Sequence, residues 1–471
     1  MFLFLTLPLL AIEEGTYVQF QEAEEKTKEE TQEIIPESYQ NPLLKSIKAP
    51  SEKKELSLQQ QIVDYFGTFV TSSPYPGVRA TLDGTDLMSS LSNVNKDLQI
   101  LLELKEATQF MDKKGIPYPV NPRIFLSGEI EFTGFVQKDA TGRARSDLNL
   151  TDAEIDFLIV AAPWLYGFIG IEYDSSLDPA RSLSRVANSR LHADSLFITF
   201  GDLTKQPWYG TIGQTYIPYG QYTTFAAVHV PLTRILFRTL ARNVAVGFFN
   251  HYLHCTTYVF KGDSHADSGN NLNNYGMNLG LRFKIKELNC KLAVGAIRNV
   301  ADSVGMQGVF GNPLNGEQLH HVVPGINCHG NFSWGNWTLL LAYNQALRPF
   351  NRRDIAFSGN GITFKGARPA ASDAELAYSF KLGTRPSSIA LGYSRSWEAL
   401  SFNVPKERAT LTWALYIFRG NILSLELNSD KLYDQNNRVS GNVATGLPYY
   451  LNPRNLGHRD YTFSVDYLLY F

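Results

Sequence analysis

From Arg123 onwards the chain alternates apolar and polar side chains with a period of two, segment after segment, as far as Phe471. Period two belongs to a strand with one apolar face. Residues 275–286 show it most clearly: Tyr275, Met277, Leu279, Leu281, Phe283 and Ile285 alternate with Gly276, Asn278, Gly280, Arg282, Lys284 and Lys286. Residues 126–136 carry Leu126, Gly128, Ile130, Phe132 and Val136 on one face, with Ser127, Glu129, Glu131 and Thr133 on the other. The pattern returns around Trp337, Leu376, Ile389, Leu411 and Leu423. The count is about 16 strands at roughly 22 residues each, room for a spanning strand and a turn or loop.

One alternating strand fits a soluble sandwich or a membrane barrel equally well; a long series does not. A soluble all-β unit of this size would need core strands apolar on both faces and would split into domains. Here no linker interrupts residues 123–471, and Gly, Ala, Ser, Thr and Asn fill most second faces. That composition suits a wide, wet lumen inside a lipid-facing wall. A barrel also leaves no free edge, as a bilayer requires. Tight turns at 335–337 and 420–421 contrast with long polar stretches such as KGDSHADSGNN and GVFGNPLNGEQLHH. Tyr275, Trp337, Tyr393 and Tyr467 stand near strand ends, where interfacial girdles belong. The expected fold is therefore all-β: a transmembrane antiparallel barrel of about 16 strands over residues 123–471, behind an N-terminal periplasmic helical or extended segment. The net charge of −2 gives no bias towards nucleic acid.

The N-terminal part divides into three. Residues 1–11, MFLFLTLPLLA, read as the apolar region of a signal peptide, cut short because no Lys or Arg precedes it; a buried helix start is the other reading. Residues 12–69 are too charged to bury a core and read as a disordered or loosely helical tether. Residues 70–122 form a periplasmic segment with a helix near 86–113, in which Leu87, Leu91, Val94, Leu98 and Leu101 make an apolar stripe and Gly115 ends the run. The stripe would dock on a partner, on a second copy, or on its own chain.

The last eleven residues, YTFSVDYLLYF, place Tyr461, Phe463, Val465, Tyr467, Leu469 and Phe471 on one face. This resembles the terminal strand of Gram-negative outer-membrane barrels, which ends on an aromatic residue and is read by the barrel assembly machinery; Tyr467, Leu469 and Phe471 would carry that insertion signal. The stretch TSSPYPGVRATLDGTDLMSSLSNVNKDLQIL, the GIPYPVNPRIFLSGEIEF that follows, and GDLTKQPWYGTIGQTYIPYGQY resemble the legiobactin-receptor type (LbtU-type) of siderophore porin. The resemblance implies uptake of ferric siderophore without a plug domain or a TonB box.

Selectivity in such a channel comes from lumen charge, width and loops. By strand parity Arg282, Lys284 and Lys286 face inward, and Arg298 ends a nearby strand; Arg234, Arg238 and Arg242 share a parity of their own. Together they would make a basic strip for carboxylate-rich cargo. Alternatively, Glu129, Glu131, Glu154, Asp156, Glu172 and Glu426 pair across the lumen and hold its shape. Tyr216, Pro218, Tyr219 and Gly220 form a turn that ends a strand or anchors a constriction loop. His251 and His254 fall on opposite strand faces, as do His320 and His321, so no metal site is assigned. Cys255, Cys290 and Cys328 are odd in number and lack metal spacing, and no catalytic grouping or cofactor site can be picked out. Three functions follow: a ferric siderophore transporter, a general or anion-preferring diffusion porin without an iron role, or a structural or adhesive barrel whose long loops bind a host or envelope partner. The partners expected are ferric siderophore or another small polar solute, outer-membrane lipid, the assembly machinery and a second copy of the chain.

Overall fold

The computed structural model describes residues 95–115 and 121–470, except 140, 175–189, 251, 263, 266–270, 308–316, 419–420 and 442–456. The expectations for residues 1–94, His251 and Phe471 lie outside the described residues.

Sixteen antiparallel strands close into one barrel, each bonded to its neighbours in sequence. They are β1 (Arg123–Lys138), β2 (Ala144–Ala162), β3 (Leu165–Asp174), β4 (Arg190–Gly201), β5 (Trp208–Tyr216), β6 (Leu240–Phe249), β7 (Leu253–Phe260) and β8 (Asn274–Ile285). The second half is β9 (Leu288–Ile297), β10 (Gly325–Trp334), β11 (Trp337–Ala346), β12 (Ala370–Leu382), β13 (Arg385–Trp397), β14 (Glu407–Phe418), β15 (Asn421–Lys431) and β16 (Arg459–Tyr470). β1 closes on β16, with Glu129 opposite Tyr470 and Lys138 opposite Tyr461. Closure pairs the last free edge, which is what permits a sheet in lipid.

The period-two pattern becomes two surfaces. Leu391, Leu411, Leu427 and Phe463 stand side by side on β13 to β16 and point outward, exposed. Their polar neighbours Thr410, Asn428 and Thr462 are buried on the lumen side. Aromatic residues ring both ends of the outer wall. Trp208 packs on Phe248 at 4.9 Å and Trp337 on Tyr378 at 4.7 Å at the tight-turn end. Tyr275, Tyr393 and Tyr461 are exposed towards the other. Connections 163–164, 286–287, 335–336 and 383–384 are tight, whereas 217–239, 298–324 and 347–369 are long. The tight end is the periplasmic end of such a barrel and the long-loop end the extracellular one.

The long loops are packed. Val300 and Met306, Phe350 and Ile355, Leu400 and Phe402, and Tyr433 and Val439 bury one another across four connections. Strands Ile355–Ser358, Lys365–Gly366 and Arg438–Gly441 join two of those connections in a small sheet.

Helix α1 spans Lys96–Lys114 and the turn at Gly115 follows it; it begins ten residues after the expected start at 86, and of the leucine stripe only Leu98 and Leu101 lie among the described residues. Leu98, Ile100 and Leu101 are buried against Phe125, Leu158, Val160, Tyr166, Phe168 and Phe249. Those partners come from β1, β2, β3 and β6, near their periplasmic ends and on the inner face. α1 therefore sits inside the barrel, on its own chain. Burying these three aliphatic side chains is worth about 1.5–3 kcal/mol each relative to exposure.

Candidate functional site in the barrel lumen

The connection between β5 and β6, residues 217–239, folds into the lumen. It begins at the Tyr216–Gly220 turn. Gly220 has φ +88°, and a Cβ there would come within 2.6 Å of the Tyr222 hydroxyl, so the turn demands glycine. Ile217 N–H donates to Thr239 O at 3.0 Å and closes the base of the loop. Tyr216 donates its hydroxyl to Asp194 at 2.7 Å, and Tyr222 donates to Tyr219 O at 2.7 Å. Pro218, Tyr219 and Gly220 are all buried.

The loop is then held by the opposite wall. Glu426 on β15 accepts from the N–H groups of Ala227, Val228 and His229 at 2.7, 3.1 and 2.9 Å, and its Oε1 lies 2.6 Å from His229 Nδ1. Glu375 on β12 accepts from Phe225 N–H at 2.9 Å, and Asp373 from Thr233 N–H at 3.1 Å. Arg408 on β14 donates to Val230 O at 2.7 Å while its other nitrogens form a two-pronged pair with Asp430, both at 2.8 Å. Charge-assisted bonds of this kind are the stronger ones. The short helix α2 (Leu232–Phe237) follows, with Leu232, Leu236 and Phe237 fully buried. Ser303 donates to Leu236 O at 2.6 Å, so an extracellular loop also grips it.

The wall of β1 to β4 is acidic. Glu129, Glu154, Asp156 and Asp194 are buried there, with Glu131 and Glu172 half-buried beside them. Lys96, the first residue of α1, enters this cluster. Its ammonium lies 3.3 Å from Asp156, 3.5 Å from Glu154 and 4.1 Å from the centre of the Phe168 ring. Burial alone would pull its pKa down, but Asp156 and Glu154 outweigh burial and hold it above the ordinary lysine range. Beside it Asp97 accepts from Thr211 at 2.7 Å, and Tyr166 donates to Asp97 O. On the folded-in loop Arg234 lies in the field of Glu131 and Glu172 and Arg238 in that of Glu172, and Arg238 covers the Tyr216 ring at 4.3 Å. The constriction thus sets arginines on the loop against carboxylates on the wall.

The remaining sequence-named cations are dispersed. Arg282 lies over Phe249 at 5.6 Å near the periplasmic end, and Lys284 and Lys286 are exposed at the turn there. Arg298 is at the extracellular end, over the outward-facing Tyr275 at 5.6 Å. Arg242 is exposed, with the outward parity of Val244 and Val246. These residues do not meet in one strip. Tyr467 is exposed on the outer wall with its hydroxyl bonded to Asn421, and Leu469 pairs with Asn421 in the sheet. His320 is tied to Asp354 at 2.6 Å and His321 to Pro349 O at 3.0 Å. Glu172, His192 and Asp194 each bring one ligand atom within 4.8 Å of the others, the one such trio among the described residues. The three cysteines are free thiols. Sequence reasoning missed Asp373, Glu375 and Arg408. Their inward parity was available, but nothing local says that a loop more than a hundred residues away lands on them.

A closed sixteen-stranded barrel, apolar outside, with a connection folded into its lumen, defines a porin-type channel protein of the bacterial outer membrane. The chain belongs to the UPF0422 family. It is 31% identical over 405 residues to a UPF0422 protein of Legionella pneumophila strain Paris, covering 83% of this chain and 75% of that one. A UPF0422 protein of Coxiella burnetii is 29% identical over 412 residues, 86% of this chain and 85% of that one. No family model matches the chain. Among solved structures, an anion-selective porin from Comamonas acidovorans aligns with TM-score 0.48 at 11% identity, over 74% of this chain and 100% of that one. The outer-membrane channel DcaP of Acinetobacter baumannii aligns with TM-score 0.48 at 10% identity, over 74% and 97%.

Proposed function

We propose that this chain is a selective solute channel whose cargo is ferric siderophore, the solute implied by its resemblance to siderophore porins. The observation that best supports selectivity is the double narrowing of the lumen. The 217–239 loop is tied across to β12, β14 and β15, and α1 is seated on the inner wall of β1 to β6. A solute has to thread past two inserts or displace one. A folded-in loop belongs to porin-type channels in general, and α1 is the insert that broad diffusion would not need.

The second reading is a diffusion porin with no iron role. Arginines facing carboxylates across the constriction favour it, because such a field orients small polar solutes in transit. Uptake of radiolabelled iron, supplied as ferric siderophore to iron-starved cells with and without the gene, separates the two. A deep loss of uptake, restored by the gene, is the expected result. Unchanged uptake together with a large steady current in planar bilayers would leave the diffusion porin.

A further inference from the structure

The acidic wall holds a cation already, and that cation is a side chain of the same protein. We infer that the pocket formed by Glu129, Glu154, Asp156 and Phe168 is a binding site for a solute carrying a primary ammonium group, and that Lys96 occupies it as an internal stand-in. Such a solute competes with Lys96 and releases α1 from the wall. The inference names the solute chemistry of the channel proposed above and so rests on that reading, but it does not need the cargo to contain iron.

Three features make this a built site. The first is its shape for an alkylammonium: two carboxylates grip the charge at 3.3 and 3.5 Å, while an aromatic face receives it at 4.1 Å. A carboxylate pair beside a ring suits an alkylammonium, because the ring quadrupole adds to the ionic attraction. The second is room made for the carboxylates. A Cβ at residue 170 would come within 2.9 Å of Glu154 Oε1 and 3.0 Å of Asp156 Oδ1, and glycine stands there. The third is unspent capacity. Glu129 is 5% exposed, and its Oε2 has no hydrogen-bond partner, nor has Asp156 Oδ1. A lysine ammonium brings three protons and one charge. Carboxylates gathered on one wall repel unless cations neutralise them, and Lys96 leaves acceptors over. A free diammonium solute would satisfy more of them than Lys96 does.

The position of Lys96 converts binding into release. It is the first residue of α1, and the next, Asp97, is tied to Thr211 and Tyr166. The helix is thus held at its lumenal end by charge and along its length by Leu98, Ile100 and Leu101. A solute that takes the carboxylates removes the ion pairs and leaves the helix held by the two Asp97 hydrogen bonds and the apolar contact, a weaker hold than all three together. A ligand shifts an equilibrium only by its differential affinity, and here the difference is complete, since the site is either filled by Lys96 or free.

The test uses the purified full chain in planar bilayers at fixed ionic strength, without iron, with 1,5-diaminopentane as probe and 1,5-pentanediol as its neutral counterpart. In the unaltered protein the diamine raises mean conductance severalfold and saturably; the diol does nothing. Lys96→Gln starts from the raised conductance, about tenfold above the parent if the anchor dominates, and gains nothing from the diamine. Lys96→Arg keeps the low conductance and the response. Heat-modifiable migration on gels checks that each variant is a closed barrel. If Lys96→Gln does not fold, the diamine and diol comparison on the unaltered protein decides alone. The proposal is overturned if diol and diamine act alike, if magnesium at equal charge reproduces the diamine effect, or if folded Lys96→Gln still responds. Loss of siderophore uptake in cells would address the cargo and not this site, so the two readings fail separately.

Discussion

Glu426 shows how one side chain can shape a pore it scarcely touches. It is 1% exposed, and its two oxygens collect three backbone N–H groups from residues 227–229. Hydrogen bonds to a charged acceptor contribute about 1.5–3 kcal/mol each, and three N–H groups lose their partner if the acceptor is removed. The barrel ladder of β15 does not depend on that side chain. Glu426→Ala is therefore expected to leave a closed, heat-modifiable barrel whose 217–239 loop is freed. Limited proteolysis should cut that loop faster, and single-channel current should become noisier. A quiet channel with an uncut loop would mean that Glu375, Asp373 and Arg408 suffice. Arg408→Lys is expected to act in the same direction but less, because lysine keeps the charge and loses the two-pronged grip on Asp430.

At the scale of elements, each strand has to satisfy lipid on one side and water or packed loop on the other. Leu411 is central in β14, between Leu391 and Leu427 on the outer face. An arginine there sits near the bilayer midplane and costs about 2–4 kcal/mol. Leu411→Arg should lower the denaturant midpoint in reversible lipid-vesicle refolding by that amount, while the same change at the membrane rim costs far less. α1 behaves differently. Leu101 is 2% exposed against the inner wall, and Leu→Ala in a core costs about 2–5 kcal/mol. That loss falls on the docking of α1, so Leu101→Ala should expose residues 96–114 to protease and leave the barrel's midpoint unchanged. A drop in the midpoint would show instead that helix and wall unfold together. The strands were legible in the sequence because period two is a local signal and every strand repeats it. By the same parity Glu129, Glu131 and Glu426 could be named as facing inward. Parity could not say that α1 seats on its own barrel or that 217–239 crosses to β12, β14 and β15, since both are long-range contacts between surfaces of compatible shape. Nor could it place Arg298, because a residue past a strand end no longer follows the strand's alternation.

Over the whole molecule a net charge of −2 conceals a strong division. The lumen wall of β1 to β4 carries Glu129, Glu131, Glu154, Asp156 and Glu172, while the inward cations Arg234 and Arg238 belong to the folded-in loop that faces it. Lumen selectivity depends on which set a passing ion meets first and at what distance, and the sum over the chain is irrelevant to it. Here those five wall carboxylates outnumber the three cations that face them, Lys96, Arg234 and Arg238, although Arg234 Nη1, like a Glu129 oxygen, has no hydrogen-bond partner. The balance left for a mobile ion is negative, so the channel should prefer cations over anions, against the basic strip that the sequence suggested from Arg282, Lys284, Lys286 and Arg298. The reversal potential under a salt gradient measures this directly. Glu129→Gln with Glu131→Gln should bring the preference a few-fold closer to neutral, whereas Lys284→Gln with Lys286→Gln, at the exposed periplasmic turn, should barely move it. Exposed charges lose their influence as the screening length falls to about 3 Å at 1 M salt, and buried ones are screened much less. The cation preference should therefore survive high salt if the buried wall sets it. A preference that vanishes at high salt, or that follows Lys284 and Lys286, would assign ion selectivity to the channel mouth and not to the acidic wall.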